Sequence, residues 1–206
     1  MSPRQNRVTP TGDIVAIPLR GSWMGNRGIL HDDTGRVVRN HASQLWITCR
    51  LSFRGWRAAQ WQPHHYTVLF FHDEAVALAA GHRPCALCRR EAYDAYRKAI
   101  ASHDATAPLS AKEIDAQLHA ERLFARTRRR RLHGMPWSEV PPGAFVVVEE
   151  TPYLVRDKGL LRWTTRGYAE PRRRPVSGTA AVLTPATSVA ALRGGYAPQV
   201  ADRDQG

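Results

Sequence analysis

Hydrophobic positions along this chain come first as short runs broken by Gly, Pro and Asn, then at helical spacing, then as strand-like runs. The first third predicts strands at 14–18, 45–53 and 66–71, rich in β-branched and aromatic residues. Between them, glycines with Asn26 and Asp32 mark tight turns, and 33–35 reads as a hairpin turn. An alanine-rich helix is expected over 74–80, opened by Asp73 and closed by Gly81. A second helix is expected from 86 to about 100. Ser110 and Glu113 form a capping box that opens a third, running to about 126. After Pro136, Pro141 and Pro142 the pattern turns to strands at 144–149, 153–156 and 160–164, the last two joined through Asp157-Lys158-Gly159. A strand at 180–183 and a short helix at 187–192, stopped by Gly194-Gly195, complete the reading.

This order of elements predicts an α+β fold: a small α/β half, then a helix and a β-rich half of meander or small-barrel type. The expected organisation is a flexible arm at 1–20 able to hold a short strand, a region at 21–105 that contains all three cysteines of the chain and reads as the metal-binding part, a helix and β-rich region at 106–200, and a tail at 201–206. Whether the two large regions make one continuous domain stays open. The length, 206 residues, allows either.

Charge changes the picture. Lys and Arg total 30 against 18 Asp and Glu, a net charge of +12, and arginine dominates the positive side. A guanidinium fork suits phosphate and base edges, so a nucleic-acid partner is favoured. Genomic composition also enriches arginine together with Ala, Gly and Pro, so charge alone does not decide. The run 126–131 reads as a solvated segment. No apolar stretch approaches a membrane span and no secretory leader is visible, so a cytoplasmic protein without a membrane partner is expected.

Three cysteines carry the clearest chemistry: Cys49 on the strand at 45–53, and Cys85 and Cys88 in Arg83-Pro84-Cys85-Ala86-Leu87-Cys88. A C-x-x-C pair turns two thiolates toward one point, which tetrahedral Zn²⁺ accepts. A redox pair and inert core cysteines are the alternatives; the first lacks a surrounding βαβ pattern. Four-coordinate zinc then needs one more ligand. His31 is the candidate, at the end of a glycine-bounded strand with Asp32 and Asp33 following to orient its ring.

The segment DEAVALAAGHRPCALCRRE resembles the N-terminal metal-binding domain of the Ada DNA-repair regulator family. There an alanine-rich helix leads through Ala-Ala-Gly into Arg-Pro-Cys-x-x-Cys. Ile47-Thr48-Cys49-Arg50-Leu51-Ser52-Phe53 is similar to that family's first ligand segment, Cys-Arg-Pro-Ser-Cys. The resemblance spans roughly 45–92. It implies a small α+β zinc domain in contact with DNA, whose first cysteine accepts a methyl group from methylated DNA phosphate. Cys49 holds that place, and Cys85 and Cys88 match the later pair. Phe53 stands where the second cysteine belongs and Leu51 replaces the proline. No Pro-Cys-His-Arg alkyltransferase motif and no helix-turn-helix pattern are present.

The functional expectation is a zinc protein that associates with nucleic acid, in repair or its regulation. Arg50, Arg54, Arg57, Arg83, Arg89 and Arg90 would make the contacts, with Trp56 and Trp61 available for stacking. Two alternatives stay open. One is an enzyme with structural zinc, drawing its chemistry from Cys49, Asp115, His119 and Glu121. The other is a protein-interaction module built on the second half.

Overall fold

A computed structural model describes residues 3–124 and 129–202. Among them lie two six-stranded sheets and four α-helices, an α+β fold. The first sheet uses β1 (Arg7–Val8), β2 (Ile14–Val15), β3 (Trp23–Asn26), β4 (Ile47–Cys49), β5 (Leu69–Phe71) and β6 (Arg83–Pro84), in the order β2-β1-β5-β3-β4-β6. Its pairings are antiparallel except β1 with β5 and β4 with β6. Within the arm expected at 1–20, β1 and β2 are thus woven into the sheet, because Val8 and Ile14 bury apolar side chains there. Gly25 on β3 marks the tightest approach between strands. A Cβ there would stand 2.2 Å from the Ile47 carbonyl oxygen.

The second sheet comprises β7 (His133–Pro136), β8 (Phe145–Val148), β9 (Thr151–Arg156), β10 (Gly159–Thr164), β11 (Gly167–Arg172) and β12 (Thr179–Val182), ordered β11-β10-β9-β8-β12-β7 and antiparallel throughout. β7 and β11 escape the sequence reading. Their Gly, Pro and charged residues dilute the strand pattern, and pairing with β12 and β10 supplies what propensity does not.

Helix α1 (Glu74–Ala79) lies between the sheets, and all six of its residues are buried. A helix apolar on every side belongs inside a core. Its small alanines let Val8, Leu69 and Phe71 of one sheet and Phe145 and Leu154 of the other share a single cluster. A second cluster fills the space between the β8–β12 region and α2 (Arg90–Asp104), α3 (Ala111–Arg122) and α4 (Ala186–Arg193). Tyr96 and Tyr196 meet there edge to face at 5.3 Å.

Two acids at the start of α1 fasten the C-terminal segment. Asp73 caps the helix through Val76 N–H and accepts from Tyr168 Oη and Ala201 N–H. Glu74 accepts from Tyr196 Oη, Gln199 N–H and Arg89. Residues 196–201 are therefore tied to the core rather than loose; 203–206 lie outside the described residues.

Candidate metal centre

The first sheet sets the cysteines side by side. β4 and β6 run parallel, with Ile47 opposite Arg83 and Thr48 opposite Pro84, and Cys85 N–H continues the ladder to the Thr48 carbonyl at 3.0 Å. Cys49 and Cys85 therefore leave the sheet at the same end. α2 begins only at Arg90, so residues 85–89 form a turn that brings Cys88 back to the other two. The three sulfurs lie within 4.8 Å of one another. Thiolates on one zinc at about 2.3 Å would stand about 3.5–4 Å apart, within that bound.

Backbone donors support negative charge on these sulfurs. Leu87 N–H points to Cys85 Sγ at 3.4 Å, Cys88 N–H donates to the same sulfur, and Arg50 N–H donates to Cys88 Sγ. The thiols share protons unequally. Hydrogen bonds from Cys49 and Cys88 push Cys85 well down, whereas bonding to Cys85 and Cys88 and then burial push Cys49 up. A soft divalent cation would take the place of those shared protons, so the donor set fits zinc chemically as well as in spacing.

No His, Asp or Glu among the described residues joins the three sulfurs. His31, the expected fourth ligand, sits elsewhere. Its Nδ1 is 2.7 Å from Thr67 Oγ1 and its ring meets Trp61 edge-on, so the hairpin turn holds it away from the cluster. Phe53 packs against the sulfur group together with Tyr66. Tyr66 escaped the sequence reading. Burial and the charges of all three cysteines raise its pKa, which places the phenol beside them.

No family model, curated protein or solved structure matches this chain.

The arginines divide. Arg50, Arg54, Arg57 and Arg90 are exposed around the cysteines. Arg83 and Arg89 are buried and already paired: Arg83 makes a bidentate pair with Asp115 (2.8 Å for each bond), and Arg89 pairs with Glu74 and lies 3.9 Å from the Trp23 ring. Their place as nucleic-acid contacts is corrected, since the low-dielectric interior commits each fork to a carboxylate. The acid–base candidates are taken up in the same way. Asp115 holds Arg83, His119 Nδ1 faces Arg122 at 3.0 Å, and Glu121 receives the N–H and hydroxyl of Thr187 at the start of α4.

A cleft of ≈ 390 Å³ opens beside Cys88, lined among others by Trp23, Arg50, Phe53, Arg54, Leu87 and Arg90. At its edge Phe53-Arg54-Gly55-Trp56 makes a tight two-residue turn. Phe53 and Trp56 exchange both backbone bonds at 3.0 Å, and Arg54 and Gly55 both have positive φ. The turn leaves Trp56 54 % exposed, and the knuckle leaves Leu87 71 % exposed.

Proposed function

We propose that this protein binds Zn²⁺ through Cys49, Cys85 and Cys88 and associates with nucleic acid, DNA ahead of RNA, across the surface around that site. The observation that carries the reading is the meeting of three sulfurs within 4.8 Å beneath a surface bearing Arg50, Arg54, Arg57, Arg90 and the exposed Trp56. The cation would be held by the three sulfurs, with backbone N–H groups on Cys85 and Cys88 as their outer supports. When bound it supplies a fixed positive centre that keeps the thiolates deprotonated at neutral pH. The resemblance to the Ada-type domain favours DNA and a place in repair or its regulation. A cytoplasmic setting accords with three unpaired thiols, and no helix among the described residues is long and apolar enough to cross a membrane.

Among the side chains, the exposed arginines would attract phosphates, Trp56 would offer a stacking face, and buried Arg83 and Arg89 would hold the knuckle in place. The test is metal analysis of the purified chain joined to fluorescence anisotropy with labelled duplex and single-stranded DNA over a salt series. Near one equivalent of zinc, lost in Cys85→Ser, with affinity falling steeply as salt rises, supports the reading. Zinc without DNA binding at low salt would leave a structural metal site and remove the nucleic-acid partner.

A further inference from the structure

At the opposite end of β4 and β6 a second one-sided cluster is buried. Trp46 and His82 precede the two strands, and their rings lie 5.1 Å apart. Arg27, following β3, and Arg122, ending α3, place their guanidiniums 3.9 and 3.8 Å from the Trp46 ring. Arg130 turns inward from the arginine-rich run and donates to the carbonyls of Ala79, Ala80 and Leu183. The run expected to be solvated is so only in part: Arg129 and Arg131 are exposed, and 126–128 lie outside the described residues.

Among the described residues these cations meet neutral acceptors only. Arg27 reaches the Gly12 carbonyl and Asn40 Oδ1, and Arg122 reaches the carbonyls of Gly81 and Gln44. Among the described residues no carboxylate forms an ion pair with any of the three. Asp115 is committed to Arg83 and acts on Arg122 only at a distance, as Asp13, exposed at the edge, does on Arg27 and Arg130. Among the described residues, four buried nitrogens of this cluster have no acceptor: Arg27 Nη2, Arg122 Nε, Arg130 Nε and His82 Nδ1. His82 Nε2 accepts from Arg27 Nε at 3.2 Å, so the proton of the neutral ring sits on Nδ1, which makes this nitrogen a donor as well. Arg122 and Arg130 are lowered to about 9, chiefly by burial, and stay cationic at neutral pH.

Buried donors without acceptors and buried charge without countercharge are both costly, and one kind of partner answers both. It must accept hydrogen bonds only, carry more than one negative charge, and be small. We propose that Arg27, Arg122, Arg130 and His82 form a binding site for a multivalent oxyanion of the phosphate class, reached from the edge where Asn40 and Arg130 are half-buried. A carboxylate or chloride answers only one of these charges, and a phosphate or diphosphate group answers the set with charge-assisted bonds, its own charge relieving the burial and the repulsion from Arg122 and Arg130 that hold Arg27 well below its ordinary value. The site shares no residue with the cysteine cluster and stands whether or not zinc binds there.

The 206-residue chain is titrated with inorganic pyrophosphate and, side by side, with a nucleoside 5′-diphosphate, against chloride at equal ionic strength. A saturable rise in melting temperature is expected, with the affinity weakened about tenfold or more in Arg130→Gln and by less than about twofold in Arg57→Gln on the cysteine face. Equal affinity for the two ligands assigns the diphosphate group alone as the recognised part. Tighter nucleotide binding makes the nucleotide the source of that group. The folded wild-type chain gives a second readout: the Nε–H NMR signals of Arg122 and Arg130 shift with pyrophosphate while that of Arg57 does not. No saturable rise, the same rise in Arg130→Gln, or NMR shifts confined to surface arginines would overturn the site.

Discussion

The β4–β6 strand pair carries opposite chemistries at its two ends, about 10 Å apart at the rise of three strand residues. One end gathers three sulfurs, electron-rich groups that want a cation. The other gathers three guanidiniums and an imidazole, donors that want an anion. Between and beside them, Arg83 with Asp115 and Arg89 with Glu74 show buried charge that the protein neutralises by itself, Arg89 Nη1 alone keeping no acceptor among the described residues. The contrast separates structural from functional burial. A buried group paired inside the chain explains itself, whereas a buried group of one sign with only neutral neighbours points outward to a ligand.

The largest expected effect breaks the thiolate end. Cys85→Ser, or chelation of the wild-type protein, should remove bound zinc and lower the melting temperature by about 10 °C or more, since metal binding energy is folding energy. Pyrophosphate stabilisation should survive. Unchanged zinc content in Cys85→Ser would remove the metal site.

Next comes the self-satisfied pair between the ends. Asp115→Ala leaves the Arg83 guanidinium buried without its carboxylate and should cost about 3–5 kcal/mol in denaturant unfolding. Affinity for DNA, extrapolated to fully folded protein, should not change. A loss of DNA affinity larger than the loss of folded protein would restore Arg83 as a contact.

A pH titration then sharpens the arginine end. Burial, followed by the charges of Arg27, Arg122 and Arg130, holds His82 well below its ordinary value of 6.5. The unfolded chain takes up a proton near pH 6.5 that the folded chain refuses. Stability from this group is thus fully present above that pH and declines as pH falls through it, by up to about 1.4 kcal/mol per pH unit. His82→Gln should remove that part of the slope; an identical slope in the variant would show the ring to be protonated when folded.

The smallest effect on stability belongs to the exposed arginines. Arg54→Gln and Arg57→Gln should each leave unfolding within about 0.5 kcal/mol of the parent. Each should also reduce the slope of log affinity against log salt for duplex DNA by about 0.9. A salt slope unmoved by either change would take the nucleic-acid interface off this face.

Much of the framework was legible in the chain itself. Asp73 and Gly81 bracket α1 as expected, Ser110 and Glu113 form the capping box of α3, and Asp157-Lys158 turns β9 into β10. These signals are local, so they survive without knowledge of the fold. The cysteines were legible for a related reason. Three rare residues, two of them at knuckle spacing, allow few arrangements, and the structure brings their sulfurs together.

Contacts between distant residues were not legible. His31 and the sulfurs are separated by the direction in which a hairpin turn points a side chain, which spacing does not encode. Arg83 and Arg50 look alike in sequence, yet one is sealed against Asp115 from α3 and the other faces water. The arginine cluster draws on positions 27, 82, 122 and 130 in a chain with 30 basic residues, so no local pattern marks it. Sequence determined most of the elements, their caps and the cysteine trio because those depend on neighbours along the chain. Tertiary structure alone decided which charges are buried and which of those lack a partner, because desolvation depends on neighbours in space.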